Sequence, residues 1–311
     1  MAFVGKLAYL VLFPGILFIV LAGLASRAVV VGVGDAVAGG RTGAGTGAGY
    51  MLASVRKECV AAGGSLHAVT WIAPALKIVS LAWVSCMVFG LLPGDLVLVF
   101  ALLLLAAGCD ALPVFVSPNP RVKQGAWPEA ASLLAWAVPF ALVVGCVGLR
   151  THEATVSGVI AWQTANGVLL VAQSGGLIAN VGAFLAFIAG FMSAVAIMRL
   201  RPLGRGHLTG LPGDPIDDVS GPPLALFIAG GTAMTFVLPL VLVTFFFAGP
   251  ASHWYQVVFW ALKVLGFLIL LGLTDVLAAR ASSRRALAWG TVVAGGLGLA
   301  GLILVWIGVS T

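Results

Sequence analysis

Five ionisable residues stand inside otherwise apolar stretches of this chain: Lys77, Asp110, Glu129, Lys263 and Asp275. A charged side chain in hydrocarbon costs a few kcal/mol on insertion scales, so it faces a cavity or a partner. Lysines and carboxylates distributed through the interior of a helical bundle are the chemistry of a proton or cation relay. A carboxylate in a low-dielectric cavity takes up a proton unless a cation or water stabilises its ionised form. Lys263 and Asp275 are 12 residues apart, about 18 Å along a helix, and cannot pair with each other. Each therefore calls for a partner on another helix or for a water-filled path. Asp110 follows a 13-residue apolar run. Two of the five also admit plainer readings. Pro128 and Glu129 can be a helix start, with proline at the first position and an acid in the first turn. Asp275 can reach the interface or meet Arg280. Lys77 can snorkel outward only with difficulty.

Other reactive residue types form no site. Cys59, Cys86, Cys109 and Cys146 contain no CxxC or CxxH pair, so neither a zinc nor an iron–sulfur ligand set is encoded. His67, His152, His207 and His253 are far apart and read as solvated or interfacial. The glycine-rich stretch from Gly43 to Gly49 resembles a phosphate loop only superficially, since no strand precedes it and no soluble βαβ unit surrounds it.

The elements that must position these residues follow from composition. Of 311 residues, 61% are hydrophobic and 8% charged, and the mean hydropathy is +1.14. Soluble domains carry about 25% charged residues, so a water-soluble enzyme is excluded. Apolar runs of spanning length lie near Leu7 to Leu24, Val69 to Leu92, Leu96 to Val116, Ala130 to Gly148, Leu177 to Met198, Leu224 to Gly249, Trp254 to Ala279 and Ala286 to Ile307. The run from Val159 to Val171 is short, interrupted by Gln163 and Asn166, and reads as interfacial or re-entrant. The first run lacks a small-residue cleavage pattern and is expected to be retained.

Backbone groups in lipid must be satisfied internally, and runs this continuous do so as helices. The expected fold is an all-α polytopic membrane protein with eight transmembrane helices in a single domain, residues 1–311. The loops after spans one, three, five and seven hold 12 lysines and arginines, Arg27 among them, against Arg150 alone in the others. The positive-inside rule then makes the odd loops cytoplasmic and puts both termini outside. The net charge of +6 reflects this topology and does not indicate nucleic-acid binding.

Several short elements, in order, resemble a known family. Gly108-Cys109-Asp110, then Phe115 and Gly125-Ala126-Trp127-Pro128-Glu129-Ala130, are similar to Gly-x-Asp and Gly-Ala-x-x-Glu-Ala elements of the membrane subunit shared by respiratory complex I (subunit 1, or H) and energy-converting nickel–iron hydrogenases and formate hydrogenlyase. Ala73-Pro74 fits as well. Lys263, Asp275 and Ala279-Arg280 resemble a family lysine, acid and Ala-Arg element. Arg201-Pro202 and Pro215-Ile216-Asp217-Asp218-Val219-Ser220-Gly221 resemble the loop after span five. Where relatives carry glutamates after a Pro-Phe-Asp motif, this chain has Pro202-Leu203-Gly204-Arg205-Gly206-His207.

The resemblance implies a membrane anchor of an ion-translocating oxidoreductase in the cytoplasmic (inner) membrane, not catalytic by itself. It implies an ion path through Lys77, Asp110, Glu129, Lys263 and Asp275. It also implies a cytoplasmic coupling loop with Arg201, Asp214, Asp217 and Asp218, whose acids stand in for the missing glutamates. Cofactors are expected in partner subunits only: iron–sulfur clusters, with nickel–iron or quinone chemistry beside them. Soluble iron–sulfur, hydrogenase-like subunits and antiporter-like membrane subunits are the implied partners. A stand-alone secondary transporter and a structural anchor that has lost translocation are the competing readings.

Overall fold

The computed structural model describes residues 8–37, 68–117, 120–172, 176–198, 200, 219, 221–247, 254–277 and 283–310. The described residues form helices joined by turns and bends, with one isolated bridge between Asp95 and Thr155 and no strand among them. The helices are α1 (Ile16–Val37), α2 (Ala68–Val88), α3 (Leu96–Gly108), α4 (Leu112–Val116), α5 (Pro120–Thr151) and α6 (Val156–Asn166). They continue with α7 (Gly176–Ile197), α8 (Pro222–Phe247), α9 (Trp254–Leu277), α10 (Ser283–Ala288) and α11 (Gly295–Ser310). A π-helical stretch, Trp289–Ala294, joins the last two. Among the described residues, seven helices are long and apolar enough to cross a membrane. The chain is a multi-pass membrane protein.

α8 is the axis of the bundle, buried without a break from Thr232 to Phe246. A helix apolar on all sides belongs in a core. α1, α2 and α9 pack around α8, and a second group, α5, α7 and α11, packs beside them. Small residues let these helices approach closely in lipid, where no hydrophobic force drives them together. At the α7–α11 crossing, a Cβ on Gly301 would stand 2.7 Å from the carbonyl oxygen of Gly182, and one on Gly182 would meet Gly301 at the same distance. The π-helical turn receives the indole of Trp136 against Gly290, where a Cβ would lie 2.9 Å from the ring.

The third apolar run is broken in two. α3 has 13 residues, about 20 Å, and is too short to cross alone. Pro113 has no N–H to offer the carbonyl of Cys109, four residues earlier, so the helix cannot run through. Its last turn tightens instead: the Asp110 and Ala111 amides donate to Ala107 and Gly108 at 3.2 and 3.0 Å before α4 begins. Irregular backbone at membrane depth survives where protein buries it, and Cys109, Asp110 and Ala111 are all buried.

Three expected boundaries are corrected. α1 continues to Val37, so Arg27 is a helix residue and not part of a cytoplasmic loop. α5 begins at Pro120, which takes the first-turn position suited to proline. Pro128 and Glu129 therefore lie inside a helix, ahead of its apolar span Ala130–Thr151, and do not start one. The short run after span four forms α6, 11 residues capped by the Thr155 side chain accepting from the Gly158 amide at 3.1 Å. Gly167, at φ 90°, ends it.

Candidate functional site: a buried ion pair at a broken helix

The break between α3 and α4 presents Asp110 to Lys77, which lies nine residues into α2, roughly 14 Å along that helix. The Lys77 ammonium donates to both carboxylate oxygens of Asp110 at 2.7 Å, and the two residues are 2% and 7% exposed. Removing both charges from water is costly, and only good geometry repays it. The geometry here is good, because one ammonium spans both oxygens. The turn gives Asp110 its direction, while Pro74, one turn before Lys77, interrupts the hydrogen-bond ladder of α2. On the third side Gly230 of α8 lets the lysine stem lie against the backbone; a Cβ there would be 3.1 Å from Lys77 Cδ.

Val219, which follows the expected coupling segment in sequence, packs beside this pair. Arg201, Asp214, Asp217 and Asp218 lie outside the described residues. Val219, which follows Asp218, is buried and packs with Ala73, Cys109 and Phe227. Ala73 is four residues before Lys77, Cys109 adjoins Asp110, and Phe227 is three residues before Gly230. Val219 thus touches the neighbours of every group that builds the pair. Leu200, ahead of the loop, is buried too.

The other ionisable residues are not gathered at this site. Asp275, half-buried on α9, interacts electrostatically with half-buried Arg27 on α1. Lys263 is exposed on the outer face of α9 and donates to the carbonyl of Phe247 at 2.5 Å. Side chains on a helix lean toward its N-terminus, which carries this ammonium to the carbonyl end of α8, where unpaired oxygens and the helix dipole favour a cation. The backbone of Glu129 is placed in α5, but its side chain lies outside the described residues.

Sequence reasoning missed one buried cation. Arg150, set down as the lone basic residue of the outer loops, is 2% exposed. Its guanidinium donates to the carbonyl of Ala172 at 3.5 Å and to the side chain of Asn180, tying α5 to α7. Its isolation against the charge bias was the available signal. Nearby, Gln163 donates to the Phe245 carbonyl at 2.6 Å from α6. Among the described residues, no three histidine, cysteine, aspartate or glutamate side chains converge where a metal would bind.

A multi-pass helical bundle, with a broken span whose acid and lysine pair in its buried interior, defines a membrane protein built to hold charge inside. The family model described as NADH dehydrogenase matches residues 8–306. The chain belongs to the NADH dehydrogenase family. Its fold is similar to that of a chain in the membrane-bound sulfane sulfur reductase (MBS), an archaeal respiratory membrane complex. The two share 17% identity with a TM-score of 0.77, over 93% of this chain and 97% of that one. Among curated proteins compared by sequence, none matches.

Proposed function

We propose that this chain is the membrane anchor and ion-coupling subunit of a multisubunit, complex I-like oxidoreductase of the hydrogenase-like branch. The buried Lys77–Asp110 pair, with Val219 packed on its neighbours Ala73 and Cys109, carries this reading. Family membership supports it over a stand-alone transporter. In the proposed topology α3 and α4 together complete an eighth crossing of one domain in the cytoplasmic membrane, both termini outside. The basic odd loops dock a soluble arm holding iron–sulfur and nickel–iron or quinone chemistry. Antiporter-like subunits adjoin the chain within the membrane.

The coupling step belongs to this chain's own residues. A displacement of Val219 against Ala73 and Cys109 changes the distance between Lys77 and Asp110. At 2.7 Å the ammonium holds the carboxylate charged. Drawn apart in a medium of low dielectric, the carboxylate is stabilised by taking a proton, and restoring the contact expels it. One such displacement thereby becomes one proton uptake and release at Asp110. Glu129 and Asp275 are the proposed continuation of the path, whereas Lys263, turned outward on α9, stands off it.

The test uses inverted membrane vesicles of the native host, with ion uptake driven by the complex's own redox reaction. Asp110→Asn is expected to abolish uptake while the complex stays assembled and electron transfer continues. Uptake at the wild-type rate would refute the assignment. A second reading is a static lock, favoured by the close contact of both carboxylate oxygens with the ammonium; under it, Asp110→Asn alters stability alone.

A further inference from the structure

We propose that the outer face of α9 is the seat of a second membrane subunit, which presents a carboxylate to Lys263. The inference rests on the proposed assembly and topology and names one contact within it. Lys263 lies six residues inside the apolar span that starts at Val257, yet it is exposed. Ionisable residues at such depth face a bundle interior, a wet cavity or each other. The other cations described within the bundle conform: Lys77 binds Asp110, Arg27 faces Asp275 and Arg150 is enclosed by α5 and α7. Lys263 alone points away from the bundle, with a carbonyl oxygen as its acceptor.

Among the described side chains, no acid is placed to complete the ammonium. It holds ten aspartates and glutamates. Asp110 and Asp275 are engaged by other cations. Asp95 and Glu153 flank a cleft between α3 and α5, whereas α9 packs on α1 and α8. The side chains of the remaining six, Asp35, Glu58, Glu129, Asp214, Asp217 and Asp218, lie outside the described residues, and in the proposed topology their segments fall at the cytoplasmic end, opposite Phe247. Charge complementarity therefore asks for a carboxylate from another chain. The surroundings suit a helix. Val258, Phe259, Leu262, Ile269 and Leu270 form an exposed apolar ridge, and Gly266 leaves an open notch among them that a partner's side chain can enter. A phospholipid phosphate is the other anion available in a membrane. The cross-link separates the two, since a phosphate gives no amide with the lysine.

The test is zero-length carbodiimide cross-linking, which joins an amine directly to a carboxylate, applied to the complex purified from the native host in mild detergent. The expected result is a cross-link from Lys263 to an aspartate or glutamate in a transmembrane helix of another subunit, absent in Lys263→Met. Lys263→Met is expected to lower the recovery of that subunit about tenfold, the change that about 1.4 kcal/mol of association free energy produces. Lys263→Arg restores it, which a folding defect at this position would not allow. A complete complex with no such cross-link, or a Lys263→Met complex that loses only bound phospholipid, overturns the inference and leaves the proposed function standing. A wild-type chain that purifies without membrane partners overturns both.

Discussion

Replacing Asp110 with asparagine leaves the Lys77 ammonium 2% exposed with no counter-charge, and breaking a buried pair in this way costs about 3–5 kcal/mol. Lys77→Met leaves the carboxylate instead, which escapes part of the penalty by taking a proton, so about 1–3 kcal/mol is expected. Replacing both with apolar residues of similar volume, Lys77→Met with Asp110→Leu, removes both desolvation costs. That double variant is expected to lie within about 1 kcal/mol of wild type or above it. The single and double variants form a thermodynamic cycle whose coupling energy is several kcal/mol if the 2.7 Å contacts exist in the folded bundle. Detergent melting of the purified complex reads the stability, and redox-driven ion uptake in vesicles reads the function. A static lock and a coupling pair separate at the double variant: the lock is restored in both readouts, the coupling pair only in stability. Ion uptake at wild-type rates in the double variant would refute the coupling role, and additive single-variant effects would refute the pair.

Three further outcomes follow from the packing. Gly301→Val, whose Cβ must fit where Gly182 leaves 2.7 Å, is expected to destabilise the α7–α11 crossing by about 1–3 kcal/mol, while Gly231→Ala, with open space around it, leaves the melting temperature unchanged. Arg150→Met deprives the Ala172 carbonyl and the Asn180 side chain of their donor, a loss of about 1.5–3 kcal/mol for charged hydrogen bonds, measurable as faster protease cleavage between α6 and α7. Charge reversal at Arg27 or Asp275 alone is expected to lower the yield of assembled chain, and the swapped pair Arg27→Asp with Asp275→Arg to recover it, because the attraction between α1 and α9 is indifferent to which helix carries which sign.

The helices were legible because lipid imposes a one-dimensional rule. A continuous apolar run must be helical, and the runs from Leu177, Leu224 and Trp254 end within a few residues of α7, α8 and α9. The break at Asp110 was less legible, since Leu96 to Val116 reads as one run and only Pro113 marks the interruption. Arg27 was taken for a loop residue because a charge ordinarily closes an apolar run, and the acid that permits it inside α1 lies far along the chain at Asp275. The same limit hid the pairing of Lys77 with Asp110, which are 33 residues apart and meet through the packing of α2 on α3 and α4. Periodicity gave no warning that Lys263 faces outward, because apolar residues occupy every face of α9 around it and the buried direction is set by α1 and α8.

The most direct test of the proposed function is the composition of the particle to which this chain belongs. Isolated from native membranes in mild detergent through a tag on this chain, it is expected to carry soluble subunits with iron–sulfur centres, visible by electron paramagnetic resonance on reduction, and further membrane subunits in fixed stoichiometry. A monomer or homodimer without redox centres, moving a solute by itself in reconstituted vesicles, would contradict the proposed function and make the chain a transporter.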